Sequence, residues 1–593
     1  MKKKIILSIN ALMLAFWPAF VHAQWSNDPM LNIEVSNANG ILSVPHIAVA
    51  PSGNAFISWY SATDGLRFDM YLQYLDINGN KLWAQEGMLV SDHHTFTWVS
   101  DYGLAADNEG YAILAFQDRR DGVSDAFAYR ISPEGDFDWG MDGKRLTASP
   151  DKDWWPQVVV TDENEFIFLH SIEPIDTAES WKIAFQKLDT AGNIVWNENT
   201  LTVPELDYYM PQMLLTEQGD LIISWLAKTS LPDTVEGQPN YFHVLLQKFN
   251  HDGQPVWPGP VQADTGNIMA YNSVFTVPYL ANNGAGGAYV IWQSVYLGTP
   301  TVRVNNISSD GQVLWQASGI QVETSYAQQS ISPSALYDPI EDNLYVFYLV
   351  YEYDGTNGVD CWSVGGQKVS PAGERLWGDQ SKLMTPFTCS MDSSYLVTMA
   401  RSAPGGNMCL FFEKGYKSLI GADTINGSEL YASLIDADGN YVWPGDKVPV
   451  STAVGYKGYY TAGDYSAGQW ITAWSDNRQN PLQYAHYNIF AQNVTIDGTL
   501  GPLSVDELSN GPDQLMTCYP NPARDILNIR VDDVSLLNPD IEVKIYNVQG
   551  KEVFNGNFDQ TTFSFSIKSL DPGIYIIKVR SDHWVFNRKL IVD

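Results

Sequence analysis

The residues of this chain whose types and spacing could do chemistry are mostly aromatic. Trp98, Trp154-Trp155, Tyr208-Tyr209, Tyr271 and Tyr459-Tyr460 each lie where the chain enters a predicted strand, with Asp101, Asp151, Asp153 and Asp207 close by. Flat rings beside carboxylates suit stacking on sugar rings or on a peptide. These eight aromatics are therefore candidate ligand-binding residues for a glycan or a protein; the competing use of the same rings is to cap a core between neighbouring sheets. Motifs that fix a reaction are missing: there is no nucleophile elbow, His-Glu-x-x-His, phosphate loop or dinucleotide fingerprint. His93-His94 is the one adjacent pair among 9 His, and neighbours on an extended chain point apart, so a solvated loop is the better reading than a metal site. Asp436-Ala437-Asp438-Gly439 lacks the rest of a calcium loop and reads as a turn. No catalytic residue and no metal ligand follow. No cofactor is expected beyond calcium held loosely by acidic surface, and enzymatic activity stays open with a lean against it. The alternatives are an extracellular polysaccharide hydrolase or lyase acting at the same rim, and a structural envelope component or adhesin.

Those rings need a scaffold, and the composition says how large. The chain has 593 residues, 45% hydrophobic and 17% charged, with 20 Trp, 32 Tyr and 24 Phe, which is ample core material for more than one compact unit. The net charge of −34 makes nucleic acid a poor partner and anionic membrane surfaces repulsive. Lys2–Lys4, an apolar run from Ile5 to Phe20 and Val21-His22-Ala23 have the three-part layout of a secretory signal peptide over residues 1–23. No later stretch approaches ~20 uninterrupted apolar residues, so no membrane span is expected. Four cysteines are too few for a disulfide scaffold; Cys361 and Cys389 make a candidate pair.

Self-comparison exposes the architecture. Gly stands four residues before Trp at Trp83, Trp139, Trp196, Trp257, Trp315, Trp377 and Trp443, with a period of 56 to 66 residues. An eighth copy, Thr495-Ile496-Asp497-Gly498, keeps the turn but has Pro502 in the Trp place. Within each copy, period-two strands are split by Asn-Gly, Asp-Gly or Ala-Gly turns that tolerate positive φ, giving four antiparallel strands per unit. Leu31–Ser36 reads like the fourth strand of a middle unit. The expected fold for residues 24–502 is all-β: an eight-bladed β-propeller of four-stranded blades, with the N-terminal strand closing the last blade. The motif Trp are read as inter-blade packing. Phe116-Gln117-Asp118-Arg119-Arg120 and Trp474-Ser475-Asp476-Asn477-Arg478 add a second repeated signature, read as a turn-bracing ion pair. Together these motifs resemble the propeller repeats of exported bacterial surface proteins.

The composition shifts at the C-terminal end. Residues 503–516 have no strong periodicity and read as a linker, and residues 517–593 alternate as short strands of a small immunoglobulin-like β-sandwich. Cys518-Tyr519-Pro520-Asn521-Pro522, then Tyr546-Asn547 with Gly550-Lys551, then Pro572-Gly573-Ile574-Tyr575, ending Lys589-Leu590-Ile591-Val592, resemble the type A C-terminal sorting domain of the type IX secretion system of Bacteroidetes. In that resemblance Tyr519, Pro520, Asn521, Pro522, Gly550, Gly573, Tyr575 and Lys589 carry the sorting motif. It implies the type IX secretion machinery as partner, a secreted or outer-surface location, and removal of the domain with attachment to lipopolysaccharide or release. The overall expectation is an exported propeller that binds glycan or protein without catalysis.

Overall fold

The computed structural model describes residues 25–36, 40–62, 67–95, 102–147, 149–203, 206–229, 241–265, 268–269, 277–296, 299–324, 328–420, 423–482, 486–502, 516–519, 523–531, 541–547, 551–558, 560, 562–570, 572–580 and 585–592. The proposed leader, the linker residues 503–515, Trp98 and Tyr271 lie outside them. Among the described residues the protein is all-β apart from one short 3-10 turn at Pro404–Gly406. Between Ile33 and Thr495 there are eight antiparallel sheets, six of four strands and two of five.

Each sheet is a meander that begins on one strand and steps outward. The beginning strands are Ile41–Val49, Gly103–Ala106, Lys152–Val160, Leu206–Leu215, Tyr279–Asn282, Gln329–Asp338, Ser393–Ser402 and Lys457–Ala462, and we number the sheets one to eight in that order. Each of these strands packs against the first strand of the next sheet, and Lys457–Ala462 packs against Ile41–Val49. Second strands are covered on both faces by neighbouring sheets, so Ala55–Ala62, Ala112–Asp118 and Gln469–Asp476 are buried at every residue. Burial on both faces accounts for the nearly unbroken apolar runs of Ala55–Ala62 and 112–116, where the sequence reading expects alternation, and it encloses polar side chains such as Thr472 and Ser475.

The eighth sheet takes its fourth strand from the other end of the chain. Ile33–Ser36 pairs antiparallel with Asn488–Thr495, placing Ile33 opposite Ala491 and Glu34 opposite Phe490. Just before that strand, Trp25 is 1% exposed and donates from its indole N–H to Ile77 O at 2.9 Å. The motif tryptophans repeat this contact: Trp83 donates to Pro133 O, Trp139 to Thr190 O, Trp257 to Ser309 O, Trp315 to Pro371 O and Trp443 to Ile496 O, each at 2.8 to 3.0 Å. In each case the acceptor lies two residues before the turn glycine of the next sheet, and the ring lies under that glycine. A Cβ on Gly311 would meet Trp257 at 2.9 Å and one on Gly498 would meet Trp443 at 2.7 Å, as one on Gly79 would meet Trp25 at 2.7 Å. Glycine is required at these turns for φ near +80° and, except at Gly135, where a Cβ would meet Trp83 only at 3.7 Å, also for the room the indole takes. Trp25 thus performs for the first sheet what these five Trp perform for the sheets that follow them; Trp196 and Trp377 pack under Gly253 and Gly439 in the same way, but the Trp377 indole N–H is buried without a hydrogen bond among the described residues.

The Asp-x-Arg signatures brace their own turns. Arg120 holds the buried Asp118 through Nη2 at 2.5 Å and lies 3.6 Å over Phe127; Arg478 holds Asp476 at 2.6 Å and lies 4.0 Å over Phe490. Cys361 and Cys389, on paired strands of the sixth sheet, are joined by a disulfide.

The C-terminal residues form two further sheets. One holds Met516–Tyr519, Ile526–Val531 and Thr562–Ser566, the other Glu552–Phe558, Ile541–Asn547, Gly573–Arg580 and Val585–Val592. Leu527, Ile529, Val543, Ile545, Ile577 and Leu590 fill one core with them. Of the sorting-motif residues, Tyr519 ends its strand exposed and Gly573 opens a strand in which Tyr575 is buried. Lys589 sits opposite Ile576, while Pro520, Asn521, Pro522 and Gly550 fall outside the described residues.

Candidate ligand-binding site

Five first strands break their pairing at the same place. The register slips between Ser43 and His46, Trp154 and Gln157, Tyr209 and Gln212, Ile331 and Ser334, and Gly458 and Thr461. At these bulges Val44, Trp155, Met210, Ser332 and Tyr459 hold φ between 49° and 55°, a region costly for side chains other than glycine. Neighbouring sheets hold the bulges in place. Gln117 Oε1 accepts from Trp155 N at 3.0 Å, Gln293 Oε1 accepts from Ser332 N at 3.3 Å, and the Tyr102 hydroxyl donates to Val44 O at 2.8 Å. A bulge re-aims the side chain it carries, and here Val44, Trp155, Met210 and Tyr459 line one cavity of about 550 Å³ between the first strands. Gln157, Gln212, Thr461 and Arg401 share its wall.

From the Trp155 edge of the cavity an aromatic shelf runs across the third and fourth sheets. Trp155 stacks on Trp181 with centroids 6.0 Å apart and planes 26° apart; Trp154 follows Trp155 at 6.3 Å; Trp181 meets Tyr209 at 4.9 Å; Tyr209 meets Phe242 at 6.0 Å. All five rings are half-buried. The indole N–H of Trp154 donates to Glu173 Oε2 at 2.8 Å while Glu173 Oε1 takes Lys152 Nζ at 2.8 Å. Asp207 Oδ1 accepts the Trp181 amide at 3.0 Å, which ties the third sheet to the fourth. Burial, reinforced by Asp207, pushes the Tyr209 hydroxyl above its ordinary range, so it stays a neutral donor at any physiological pH. Burial does the same for Tyr459.

The other sequence candidates divide. Trp154, Trp155 and Tyr209 meet on the shelf and Tyr459 stands on the cavity wall. Tyr208 instead faces the core, 1% exposed against Trp225 at 5.1 Å, and Tyr460 touches the cavity wall but is 5% exposed within the seventh-to-eighth sheet core. Adjacent strand residues point to opposite faces, so one member of the Tyr208-Tyr209 pair must turn inward. Trp181, Phe242 and Arg401 belong to the site although sequence reasoning passed them over. Trp181 and Phe242 sit where third strands begin, and Arg401 near the end of a first strand, so the entry segments carried no sign of them. His94 Nδ1 lies 2.7 Å from Asp69 Oδ1, and no group of three metal-ligating side chains occurs among the described residues. Asp436 Oδ1 accepts the Asn440 and Asp438 amides, as a turn does.

Beneath the shelf lies a substitution of the repeat. Opposite the bulges the first, fourth, sixth and eighth sheets place Trp59, Trp225, Tyr348 and Trp474; the third places His170. His170 is fully buried, neither ring nitrogen has a hydrogen-bond partner, and Nε2 stands 3.7 Å from Asp153 Oδ1, itself unpartnered. Asp153 Oδ2 accepts from Ala126 N at 2.9 Å and from the Thr147 hydroxyl at 2.8 Å.

A family described as "Secretion system C-terminal sorting domain" matches residues 517–593. Those residues are a type IX secretion sorting domain. The domain marks the chain as a secreted or cell-surface protein that engages the type IX secretion system, and no helix among the described residues is long and apolar enough to cross a membrane. No curated protein matches the chain. Among solved structures it is similar to a polysaccharide lyase of family PL25, an ulvan lyase, with 12% identity over 64% of this chain and 93% of that one at a TM-score of 0.41. It is also similar to an α-L-arabinanase of Penicillium chrysogenum, with 12% identity over 57% and 92% at 0.31, and to a protein of unknown function from Dyadobacter fermentans, with 12% over 57% and 94% at 0.34. These distant likenesses carry no argument about activity.

Proposed function

We propose that the protein is an exported carbohydrate-binding module in which residues 24–502 form an eight-bladed β-propeller, closed by Ile33–Ser36 and Trp25, and the sorting domain delivers it to the cell surface or medium. The eight sheets, the contact of the last first strand with the first, and the repeated Trp-under-Gly interlock support the architecture. The observation that carries the function is the continuous shelf of Trp155, Trp181 and Tyr209 opening from a cavity of about 550 Å³. Stacked, half-exposed rings with donors and acceptors at their edges match the apolar faces and hydroxyl rims of sugar rings. Binding is favoured over hydrolysis because the carboxylates beside the shelf are engaged in holding its rings, and none lines the cavity among the described residues.

Binding of the full chain to a glycan array, repeated with Trp155→Ala and Trp181→Ala, tests this reading. Loss of roughly tenfold or more in affinity in both variants, at unchanged melting temperature, is expected. Retention of every glycan signal by both variants would remove the shelf from the function.

A further inference from the structure

The cavity that the shelf opens into has a charge opposite to that of the molecule. The chain carries −34 overall, yet among the described residues lining the cavity the one permanent charge is the Arg401 guanidinium. Arg401 lies next to last in Ser393–Ser402, whereas Trp155 lies early in Lys152–Val160, so the two stand at different levels of the strands that line the cavity. Its orientation is fixed: Nε donates to Ala462 O at 2.9 Å and Nη1 to its own chain's Ala400 O at 3.0 Å. The nearest carboxylate, Asp464, is 3.6 Å from Nε and its side chain is 93% exposed, which screens that pairing heavily. Carbonyls therefore hold one edge of the guanidinium, and among the described residues no hydrogen bond engages Nη2. Gln157 and Gln212 stand on the same wall as neutral donors and acceptors.

Resting on the carbohydrate reading above, we infer that the ligand is an acidic saccharide, whose ring stacks at Trp155 and whose carboxylate or sulfate is received by Arg401 inside the cavity. An anion reaching this point crosses an unfavourable overall field, so a preset cation within a partly desolvated cavity is what makes its binding selective. A neutral glycan would leave the guanidinium with the solvent-exposed Asp464 as its counter-charge.

Isothermal titration calorimetry of the full chain against polygalacturonate and its carboxyl-reduced neutral form, and against dextran sulfate and dextran, separates the two acidic sources. The expected result is that one charged polymer binds about tenfold or more tighter than its neutral counterpart, as a charge-assisted hydrogen bond provides. Arg401→Gln brings the charged polymer to the affinity of the neutral one, Arg401→Lys falls between, and Trp155→Ala weakens charged and neutral forms alike. Equal affinity within both pairs, with Trp155→Ala still weakening binding, would overturn the acidic preference and leave the carbohydrate site standing. Failure to bind any of the four polymers would remove both. Undiminished preference in Arg401→Gln would also overturn the inference. If that variant melts early, the comparison of charged with neutral polymer on the unaltered chain still decides.

Discussion

Removing one side chain at the N-terminal end tests how the proposed propeller is sealed. Trp25 is 1% exposed, covers Gly79 and donates to Ile77 O at 2.9 Å, yet it stands more than 430 residues from the strands of the eighth sheet whose edge Ile33 completes. A buried Trp→Ala change costs about 3–5 kcal/mol, which includes the loss of a hydrogen bond worth ~1 kcal/mol. Over residues 33–502, an unfolding entropy of ~2.1 cal/mol/K per residue amounts to about 1 kcal/mol/K. Trp25→Ala should therefore lower the melting temperature by roughly 3–5 °C, followed by differential scanning calorimetry. Trp443→Ala, which makes the same contact to Ile496 O beneath Gly498, is the internal standard. A shift below about 1 °C for Trp25→Ala beside a full shift for Trp443→Ala would refute the equivalence of the two residues and with it the sealing role of the N-terminal segment.

Two further changes have signed outcomes. Burial pushes the Glu413 carboxyl up to about 7, and burial lowers the neighbouring Lys457 ammonium to about 8. A carboxyl raised on folding binds its proton more tightly in the native state, so its contribution to stability falls as pH rises from the unfolded value of ~4.5 through about 7 and is at its least favourable above that. Glu413→Gln should accordingly leave stability unchanged near pH 4 and raise it by about 1–3 kcal/mol at pH 8, read from urea midpoints at both pH values; a gain that is equal at both would sink the assignment. His170→Phe replaces an unpartnered buried imidazole by the ring type that sheet two carries as Phe116, and should raise stability by about 1–2 kcal/mol. A loss of stability would mean that the 3.7 Å contact of His170 with Asp153 outweighs the cost of its buried ring nitrogens.

The repeats were legible because their physics is local. Gly-x-x-x-Trp joins a turn that needs positive φ to the ring that packs beneath the next turn, and both halves recur in one stretch of chain. Trp25 escaped this reading because no glycine precedes it by four residues; its partner, Gly79, lies in another sheet and only the assembled structure brings them together. The aromatic rim was half legible. A run such as Tyr208-Tyr209 announces two rings, but strand alternation sends one to the core, and the sequence does not say which. Trp154-Trp155 kept both rings at the surface because the bulge at Trp155 interrupts that alternation.

Repetition also tells structural residues from those that serve a ligand. A residue that stabilises a sheet should be copied into every sheet, since each sheet meets the same packing problem. The Trp under each turn glycine obeys this, and the bulges with their left-handed residues recur in five of the eight first strands. The shelf does not: Trp181 and Phe242 arise from third-strand starts in two adjacent sheets, and the ring opposite the bulge below them is replaced by His170 with no hydrogen bond in return. Leaving two polar nitrogens buried costs about 1–3 kcal/mol. A packing role alone would have kept an aromatic there, as in the other bulged sheets, so the third sheet gives up stability at the place where the rings gather. That coincidence of local instability with an unrepeated surface is the physical ground for proposing that the ligand's rings stack on the third and fourth sheets rather than elsewhere on the rim.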